Sequence, residues 1–182
     1  GLDFEPRRCG GAENIVYNVD FPDVLAAREE LADKDAREMN IASDLTNLSW
    51  MDRIDAPDGA IFYAAGVFHY LKREDVRRIV KAIVNKFPGA RLVFDTVGKV
   101  GYKIMMKSVL KNHGMDDFGD LFYTGNAVRE LSEWSDKLRV SSRGYMLGYY
   151  DMKVSGVKGI HRLLARIGDS IMKMQIVRMD ME

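Results

Sequence analysis

Short apolar runs alternate along this chain with longer segments in which apolar residues recur at helical spacing. The first run, Ile15–Val19, contains one polar residue and predicts a buried strand that stops at Asp20. Pro22 follows where a helix would begin, since proline is well tolerated in a first helical turn. We therefore expect a strand and then a helix that runs from about Asp23 to Met39.

The alternation continues through the first half of the chain. Ala60–Gly66 is almost wholly apolar, which is typical of a central parallel strand buried on both faces. Residues 68–87 carry apolar residues at helical spacing with charges between them, and Pro88–Gly89 ends that predicted helix. Three further segments complete this half: a short strand at Ile41–Asp44, a turn at residues 45–52 and a strand at Ala90–Asp95.

The second half is less regular but ends in a clear pattern. Residues 157–172 predict a helix whose core stripe is formed by Ile160, Leu163, Leu164, Ile167 and Ile171. The other predicted elements are helices at residues 101–112 and from Gly125–Asn126 through Leu131 to Trp134, and strands at Leu138–Met146 and Met174–Met181. Strands that alternate with helices predict an α/β fold built on a parallel sheet, in a single domain over residues 1–182.

Asp20 is the first candidate functional residue. A strand, an acid at its end and a helix start form the second half of a nucleotide-binding βαβ unit. In such a unit the carboxylate accepts hydrogen bonds from two ribose hydroxyls. Alternatively, Asp20 only caps the helix that follows, as aspartate often does. The stretch itself leaves both interpretations open.

Composition excludes several classes of function. Lys+Arg and Asp+Glu both number 27, so the net charge is zero, without the basic excess typical of nucleic-acid binders. Cys9 is the only cysteine, which rules out an internal disulfide and a cysteine zinc cluster, and the three histidines lack metal-ligand spacing. No apolar run approaches the ~20 residues of a membrane span. We expect a cytoplasmic protein that binds no nucleic acid, membrane or metal.

Four stretches occur in an order and at intervals that resemble one family. They are Tyr17–Val24, Ser43–Trp50, Ala64–Leu71 and Phe87–Asp95. Together they resemble the leucine carboxyl methyltransferase family, including its bacterial polyketide-type O-methyltransferases. The resemblance covers about residues 1–97 well and continues loosely to the final strand. It implies S-adenosylmethionine as cofactor and a class I methyltransferase (Rossmann-like) sheet, with helices on both faces and an antiparallel last strand.

The resemblance also implies roles for particular residues. It makes Gly1 and Asp3 part of the tail of a glycine-rich loop, and it gives Asp20 the ribose hydroxyls. The remaining implied cofactor contacts are Asp44 with the adenine amino group, Leu45 on the adenine ring, and Ala64, Ala65, Gly66 and Tyr70 at the methionine end. Alternatives stay open, because Asp44 also suits an ordinary cap before Thr46 and the small residues also suit tight packing.

The chain departs from the family in two ways. Relatives often carry an acidic residue where this chain has Ala65, so one cofactor contact is in doubt. The family also has a helical segment and a first sheet strand before the glycine loop, and neither precedes Gly1 here. We therefore expect a domain that is incomplete at its N-terminus and lacks the first strand. Such a chain should bind the cofactor weakly by itself, and should aggregate or form a homodimer through open strand edges.

The leading hypothesis is an S-adenosylmethionine-dependent O-methyltransferase acting on a carboxylate or hydroxyl of a small molecule or peptide. A carboxylate acceptor is already ionised and needs no general base, which suits a sequence without an evident catalytic dyad. A hydroxyl acceptor would need a base, and His113 is the one candidate. The alternatives are an NAD(P)-dependent Rossmann oxidoreductase and a non-catalytic methyltransferase-like fragment. An antiparallel pairing of residues 174–181 would count against the oxidoreductase.

Overall fold

The computed structural model describes residues 14–32, 35–113, 121–148 and 156–182, except for the side chains of residues 108–113. The chain divides into two compact units, Gly1–Pro57 and Asp58–Glu182. We call them unit 1 and unit 2 and describe each by itself. The single domain over residues 1–182 stays a prediction.

Unit 1 contains a two-stranded parallel sheet and a helix. Strand β1 (Val16–Asp20) pairs with β2 (Glu38–Ala42), and Asp20 lies opposite Ala42 in the register. Helix α1 (Pro22–Leu31) begins with proline in its first turn, where a missing amide hydrogen removes no helical bond. A short 3-10 helix at Leu48–Arg53 follows β2.

The interior of unit 1 mixes apolar and charged side chains. Its buried apolar residues are Leu25, Ile41, Trp50 and Met51. Arg28 of α1 is only 3% exposed, and its guanidinium lies 3.1 Å from the Glu38 carboxylate of β2. Asn18 of β1 donates a hydrogen bond to the same carboxylate at 3.3 Å. Because a buried charge needs a partner, this ion pair fixes α1 against the sheet.

Unit 2 is built on a four-stranded mixed sheet in the order β3–β4–β6–β5. Its strands are β3 (Ile61–Ala64), β4 (Arg91–Thr96), β5 (Leu138–Gly144) and β6 (Gln175–Met181). Strands β3 and β4 are parallel, whereas β6 runs antiparallel to both of its neighbours, β4 and β5. The predicted α/β class and the antiparallel closing strand are therefore confirmed.

Helices and aromatic rings form the interior of unit 2. The helices are α2 (Arg73–Lys86), α3 (Lys99–His113), α4 (Ala127–Ser132) and α5 (Gly159–Ser170). Helix α2 buries the predicted stripe of Val76, Ile79, Val80 and Ile83. Phe68, Phe94 and Phe122 are fully buried, with ring centroids 5.0–6.4 Å apart, distances that favour aromatic contact. Within the described residues no helix is long and apolar enough to cross a membrane.

Two helix boundaries differ from the sequence prediction by more than two residues. Helix α1 ends at Leu31 rather than Met39, and Glu38–Ala42 is a strand. An aspartate turn precedes that strand, because the Asp35 carboxylate accepts the amide hydrogen of Arg37. Helix α2 begins at Arg73 rather than residue 68, since a 3-10 turn occupies Phe68–Tyr70.

Three burial predictions were wrong. Strand β1 is half-buried rather than buried along its length. Strand β3 is not covered on both faces, since Ile61 and Tyr63 are 72% and 55% exposed. The predicted core stripe of α5 is also largely exposed at Ile160, Leu163, Leu164 and Ile171. Helix α5 instead buries its small residues, Ala165 and Gly168. Periodicity identified a helix and its apolar face, but it did not identify which face is covered.

Candidate cofactor site

Asp20 lies at the carboxyl edge of the unit 1 sheet, where ligands of parallel α/β sheets usually bind. Its backbone carbonyl accepts the Ser43 amide hydrogen at 3.0 Å, which joins the ends of β1 and the loop after β2. Its Oδ1 accepts the amide hydrogen of Phe21 at 2.8 Å. Phe21 is the N-cap residue of α1, so Asp20 is not the ordinary helix cap that the sequence left open.

Asp44 lies at the same edge, two residues beyond the end of β2. Its Oδ1 accepts hydrogen bonds from the amide and the hydroxyl of Thr46, both at 2.8 Å. The hydrogen bond from the Thr46 amide, and then the one from its hydroxyl, hold the pKa of Asp44 below its usual value. The local turn before Thr46 that the sequence offered as an alternative is therefore present. It occupies Oδ1 of an exposed, ionised carboxylate.

Leu45 follows Asp44 and is held by a buried tryptophan. The indole nitrogen of Trp50 donates a hydrogen bond to the Leu45 carbonyl at 3.0 Å. Trp50 itself is buried, as the sequence predicted. Trp50 thus fixes the Leu45 backbone. The Leu45 side chain is half-buried and offers an apolar surface next to the Asp44 carboxylate in the chain.

Ala64, Ala65 and Gly66 lie at the carboxyl edge of the unit 2 sheet. Ala64 ends β3 and pairs with Phe94 of the parallel strand β4. Ala65 and Gly66 form an exposed bend, and Tyr70 is exposed at the end of the 3-10 turn that follows. The two alanines bring no bulky side chain to this edge, so its backbone is open to approach.

Gly66 is required for its conformation and not for its size. Its φ is +66°, in the left-handed region that L-residues with a side chain rarely adopt. A Cβ added there would meet no heavy atom within 4 Å. Tight packing, the alternative that the sequence left open for this glycine, is therefore not the reason for its presence.

The sequence analysis missed a pair of side chains that holds this bend. Asp95, near the end of β4, accepts the Gly66 amide hydrogen on Oδ1 at 2.6 Å. Its Oδ2 lies 3.1 Å from Nε2 of His69, which is 4% exposed. A signal was present, because both residues lie at or after the carboxyl ends of predicted strands, but His69 was considered only as a metal ligand.

Some predicted residues cannot be placed. Gly1 and Asp3 lie outside the described residues. The backbone of His113 belongs to the last turn of α3, and its side chain lies outside the described part. Within the described residues, no group of three histidine, cysteine, aspartate or glutamate side chains could hold a metal ion.

A polar cleft of about 330 Å³ opens at the carboxyl edge of the unit 2 sheet, where β3 and β4 end. It lies where β5 ends at Gly144 and β6 begins at Gln175. The polar and charged residues that line it are Asn126, Ser142, Arg143, Asp169, Lys173 and Gln175. Amide, hydroxyl and ammonium groups can bind a polar or anionic small molecule by hydrogen bonding.

Sequence comparison relates the chain to an O-methyltransferase. No protein-family model matches it. The tetracenomycin polyketide synthesis O-methyltransferase TcmP of Streptomyces glaucescens is 27% identical over 99 residues, which cover 53% of this chain and 36% of TcmP. The matched part thus spans about a third of the length of this curated relative. Membership of the leucine carboxyl methyltransferase family stays a prediction.

Comparison with solved structures identifies the fold. An S-adenosylmethionine-dependent methyltransferase from Mesorhizobium loti superposes with a TM-score of 0.63 at 14% identity, over 99% of this chain and 87% of that one. The complex of LepI with SAM superposes with a TM-score of 0.59 at 11% identity, over 100% of this chain and 41% of that one. The fold is the Rossmann-like fold of class I methyltransferases, as the family resemblance implied.

Proposed function

We propose that this protein is an S-adenosylmethionine-dependent O-methyltransferase. One observation carries the proposal: Asp20 ends β1 and Asp44 follows the parallel strand β2, so both acids belong to the carboxyl edge of the same sheet. Two acids at that edge match the hydroxyl and amine donors of an adenosine group. The methyltransferase fold and the similarity to TcmP support the same conclusion.

The residues of unit 1 suit the adenosine part of the cofactor. Carboxylates accept hydrogen bonds, so Asp20 would hold the ribose hydroxyls and Asp44 the adenine amino group. Asp44 is suited to this because its lowered pKa keeps it ionised while Thr46 engages only Oδ1. Leu45 would cover one face of the adenine ring.

The bend after β3 suits the methionine part of the cofactor. Ala64, Ala65 and Gly66 would line it with backbone groups, because they have little or no side chain. Tyr70 would lie beside them with its exposed ring. Gly1 and Asp3, as the tail of a glycine-rich loop, would contribute from outside the described residues.

The transfer itself needs alignment rather than a catalytic base. When bound, S-adenosylmethionine supplies an electrophilic methyl group on its sulfonium. The acceptor oxygen would attack the methyl carbon in line; a C–O bond forms while the C–S bond breaks and its electron pair stays on sulfur. A carboxylate acceptor releases no proton, whereas a hydroxyl acceptor must lose one.

We favour a carboxylate acceptor on a small molecule or peptide over a hydroxyl. His69, the buried histidine at this edge, binds Asp95 through Nε2, and its Nδ1 is buried, so an acceptor hydroxyl has no access to the remaining ring nitrogen. The polar cleft beside Gln175 is our candidate for the acceptor's site, because Lys173 would attract an anion there. A cytoplasmic location and a homodimer stay predictions.

The two alternative functions are less well supported. An NAD(P)-dependent oxidoreductase would also use Asp20, but its sheet would be parallel throughout, and β6 is antiparallel to both neighbours. A non-catalytic role rests mainly on Ala65 in place of an acid. Asp95 lies beside the same bend, but both of its oxygens are engaged by Gly66 and His69, so it does not supply the missing contact.

Calorimetry with S-adenosylhomocysteine on the full-length protein tests the proposal. Asp20→Ala should weaken binding about 10- to 100-fold, since each hydrogen bond to a charged group contributes roughly 1.5–3 kcal/mol. Asp23→Ala is the matched control, because Asp23 is an exposed carboxylate on α1, three residues away. Absence of binding, or equal effects of the two substitutions, would contradict the proposal.

A further inference from the structure

One carboxylate fastens the segment after β3 at two points. Asp95 Oδ1 accepts the Gly66 amide hydrogen at 2.6 Å, and Oδ2 lies 3.1 Å from His69 Nε2. Gly66 begins the segment and His69 lies in its 3-10 turn, whereas Asp95 belongs to the neighbouring strand β4. The conformation of residues 65–69 is therefore fixed by a side chain 26 to 29 residues away in sequence.

The protonation of this pair follows from its partners. Burial raises the pKa of Asp95, but the hydrogen bonds from His69 and Gly66 outweigh burial and hold the pKa below its usual value. An ionised carboxylate can only accept, so the proton between the two side chains belongs to His69 Nε2. Nδ1 of His69 is buried and has no hydrogen-bond partner in the described part of the chain. The Nε2 hydrogen therefore joins His69 to Asp95.

We propose that Asp95 and His69 are a positioning pair that holds the Gly66 bend in the shape needed at the methionine end of the cofactor. This inference rests on the proposed function. The amide hydrogen of Gly66 points to Asp95 and is not available to a ligand. The pair therefore acts through the shape of the bend, by presenting the backbone of Ala64 and Ala65, and not as a catalytic acid or base.

Two ligands separate this role from general destabilisation. S-adenosylhomocysteine carries the amino-acid end, whereas 5′-methylthioadenosine has the same adenosine and sulfur but lacks that end. Asp95→Asn offers one oxygen where two hydrogen bonds need acceptors, so it should loosen the bend. The variant should bind S-adenosylhomocysteine about tenfold more weakly, and its affinity for 5′-methylthioadenosine should change less than about twofold. Asp58→Asn, at an exposed carboxylate of the same unit, is the matched control.

A second pair of variants tests His69 by rescue. His69→Gln keeps an N–H donor that can reach Asp95, whereas His69→Leu removes it. The glutamine variant should retain most of the affinity for S-adenosylhomocysteine, and the leucine variant should lose it. Amide hydrogen exchange at Gly66, followed by NMR without ligand, should be at least about tenfold faster in Asp95→Asn and His69→Leu than in the unsubstituted protein.

The outcomes distinguish this inference from the proposed function. If the unsubstituted protein binds neither ligand, the proposed function fails, and the positioning role fails with it. If it binds both and Asp95→Asn weakens both equally or neither, only the positioning role is overturned. Equal affinity of the glutamine and leucine variants, or unchanged exchange at Gly66, would also overturn it. Selective loss of S-adenosylhomocysteine binding together with faster exchange supports it.

Discussion

The two units hold their helices by opposite means. In unit 1, helix α1 is tied to strand β2 by the buried Arg28–Glu38 ion pair. In unit 2, helix α2 buries valine and isoleucine side chains, and phenylalanine rings fill the interior. An ion pair stabilises little beyond its desolvation cost, whereas apolar burial is directly favourable. Unit 1 should thus be more sensitive to the loss of one charge, and unit 2 to the loss of apolar volume.

The carboxylates at the carboxyl edges of the two sheets also differ, in how far along the chain their hydrogen-bond partners lie. The Asp44 carboxylate accepts hydrogen bonds from Thr46, two residues away, and remains exposed. Asp95 is instead engaged by Gly66 and His69, which are distant in sequence. The comparison suggests that unit 1 offers carboxylates to a ligand, whereas unit 2 uses its carboxylate to shape a backbone bend.

The largest effect is expected in the aromatic interior of unit 2. Phe122→Ala should lower the free energy of unfolding by about 4 kcal/mol, because the ring is fully buried between Phe68, Phe94 and Trp134. Phe21→Ala, at a half-exposed ring, is the control and should cost less than about 1 kcal/mol. Urea denaturation measures both. A similar loss in the two variants would contradict the description of this interior.

A somewhat smaller effect is expected from the buried charge of unit 1. Arg28→Met leaves Glu38 without its cation and should cost about 3 kcal/mol of unfolding free energy. Arg37→Met breaks the exposed pair with Asp35 and should cost at most about 1 kcal/mol. Hydrogen exchange in β1 and β2 should report the loss locally. If both arginine variants lose the same stability, the buried pair is not what holds α1.

Strain at the bend of unit 2 gives the next effect. Gly66→Ala should cost about 1–2 kcal/mol of unfolding free energy, because alanine in a left-handed conformation is strained even where space is available. Gly159→Ala is the control, since a Cβ there also meets no atom and the backbone is not left-handed. Thermal or urea denaturation measures both variants. Equal losses of stability would contradict the need for a left-handed residue at Gly66.

The pH dependence should be the smallest effect. Since burial is outweighed by the bonds from His69 and Gly66, the native pKa of Asp95 lies below its unfolded value. The contribution of Asp95 to the free energy of unfolding is therefore complete above the ordinary carboxyl pKa. It is lost as pH falls through the lowered native pKa. Asp95→Asn should flatten the acid limb of stability below about pH 4. Parallel acid limbs in the unsubstituted protein and Asp95→Asn would contradict this.

Much of the fold could be predicted from the sequence, because strands and helices have different apolar periods. Helix α4 begins where Asn126 caps it, as predicted. The burial errors at β1, β3 and α5 share a cause. Periodicity shows which face of an element is apolar, but not which neighbour covers it. The exposed leucines of α5 and the exposed Ile61 of β3 follow from tertiary packing, which one sequence does not contain.

The site could be predicted in part. Acids at strand ends, such as Asp20 and Asp44, follow directly from where apolar runs stop. The His69–Asp95 contact could not be found by spacing, since its partners are 26 residues apart and meet only because β3 and β4 are parallel neighbours. The left-handed φ of Gly66 is likewise a property of the folded bend.

The most direct test of the central claim is a pair of calorimetric titrations on the full-length protein, one with S-adenosylhomocysteine and one with NADH. Asp20 would serve the ribose of either ligand, so only the ligands themselves separate a methyltransferase from an oxidoreductase. The account predicts saturable binding of S-adenosylhomocysteine and no measurable binding of NADH. Binding of NADH without binding of S-adenosylhomocysteine would contradict it.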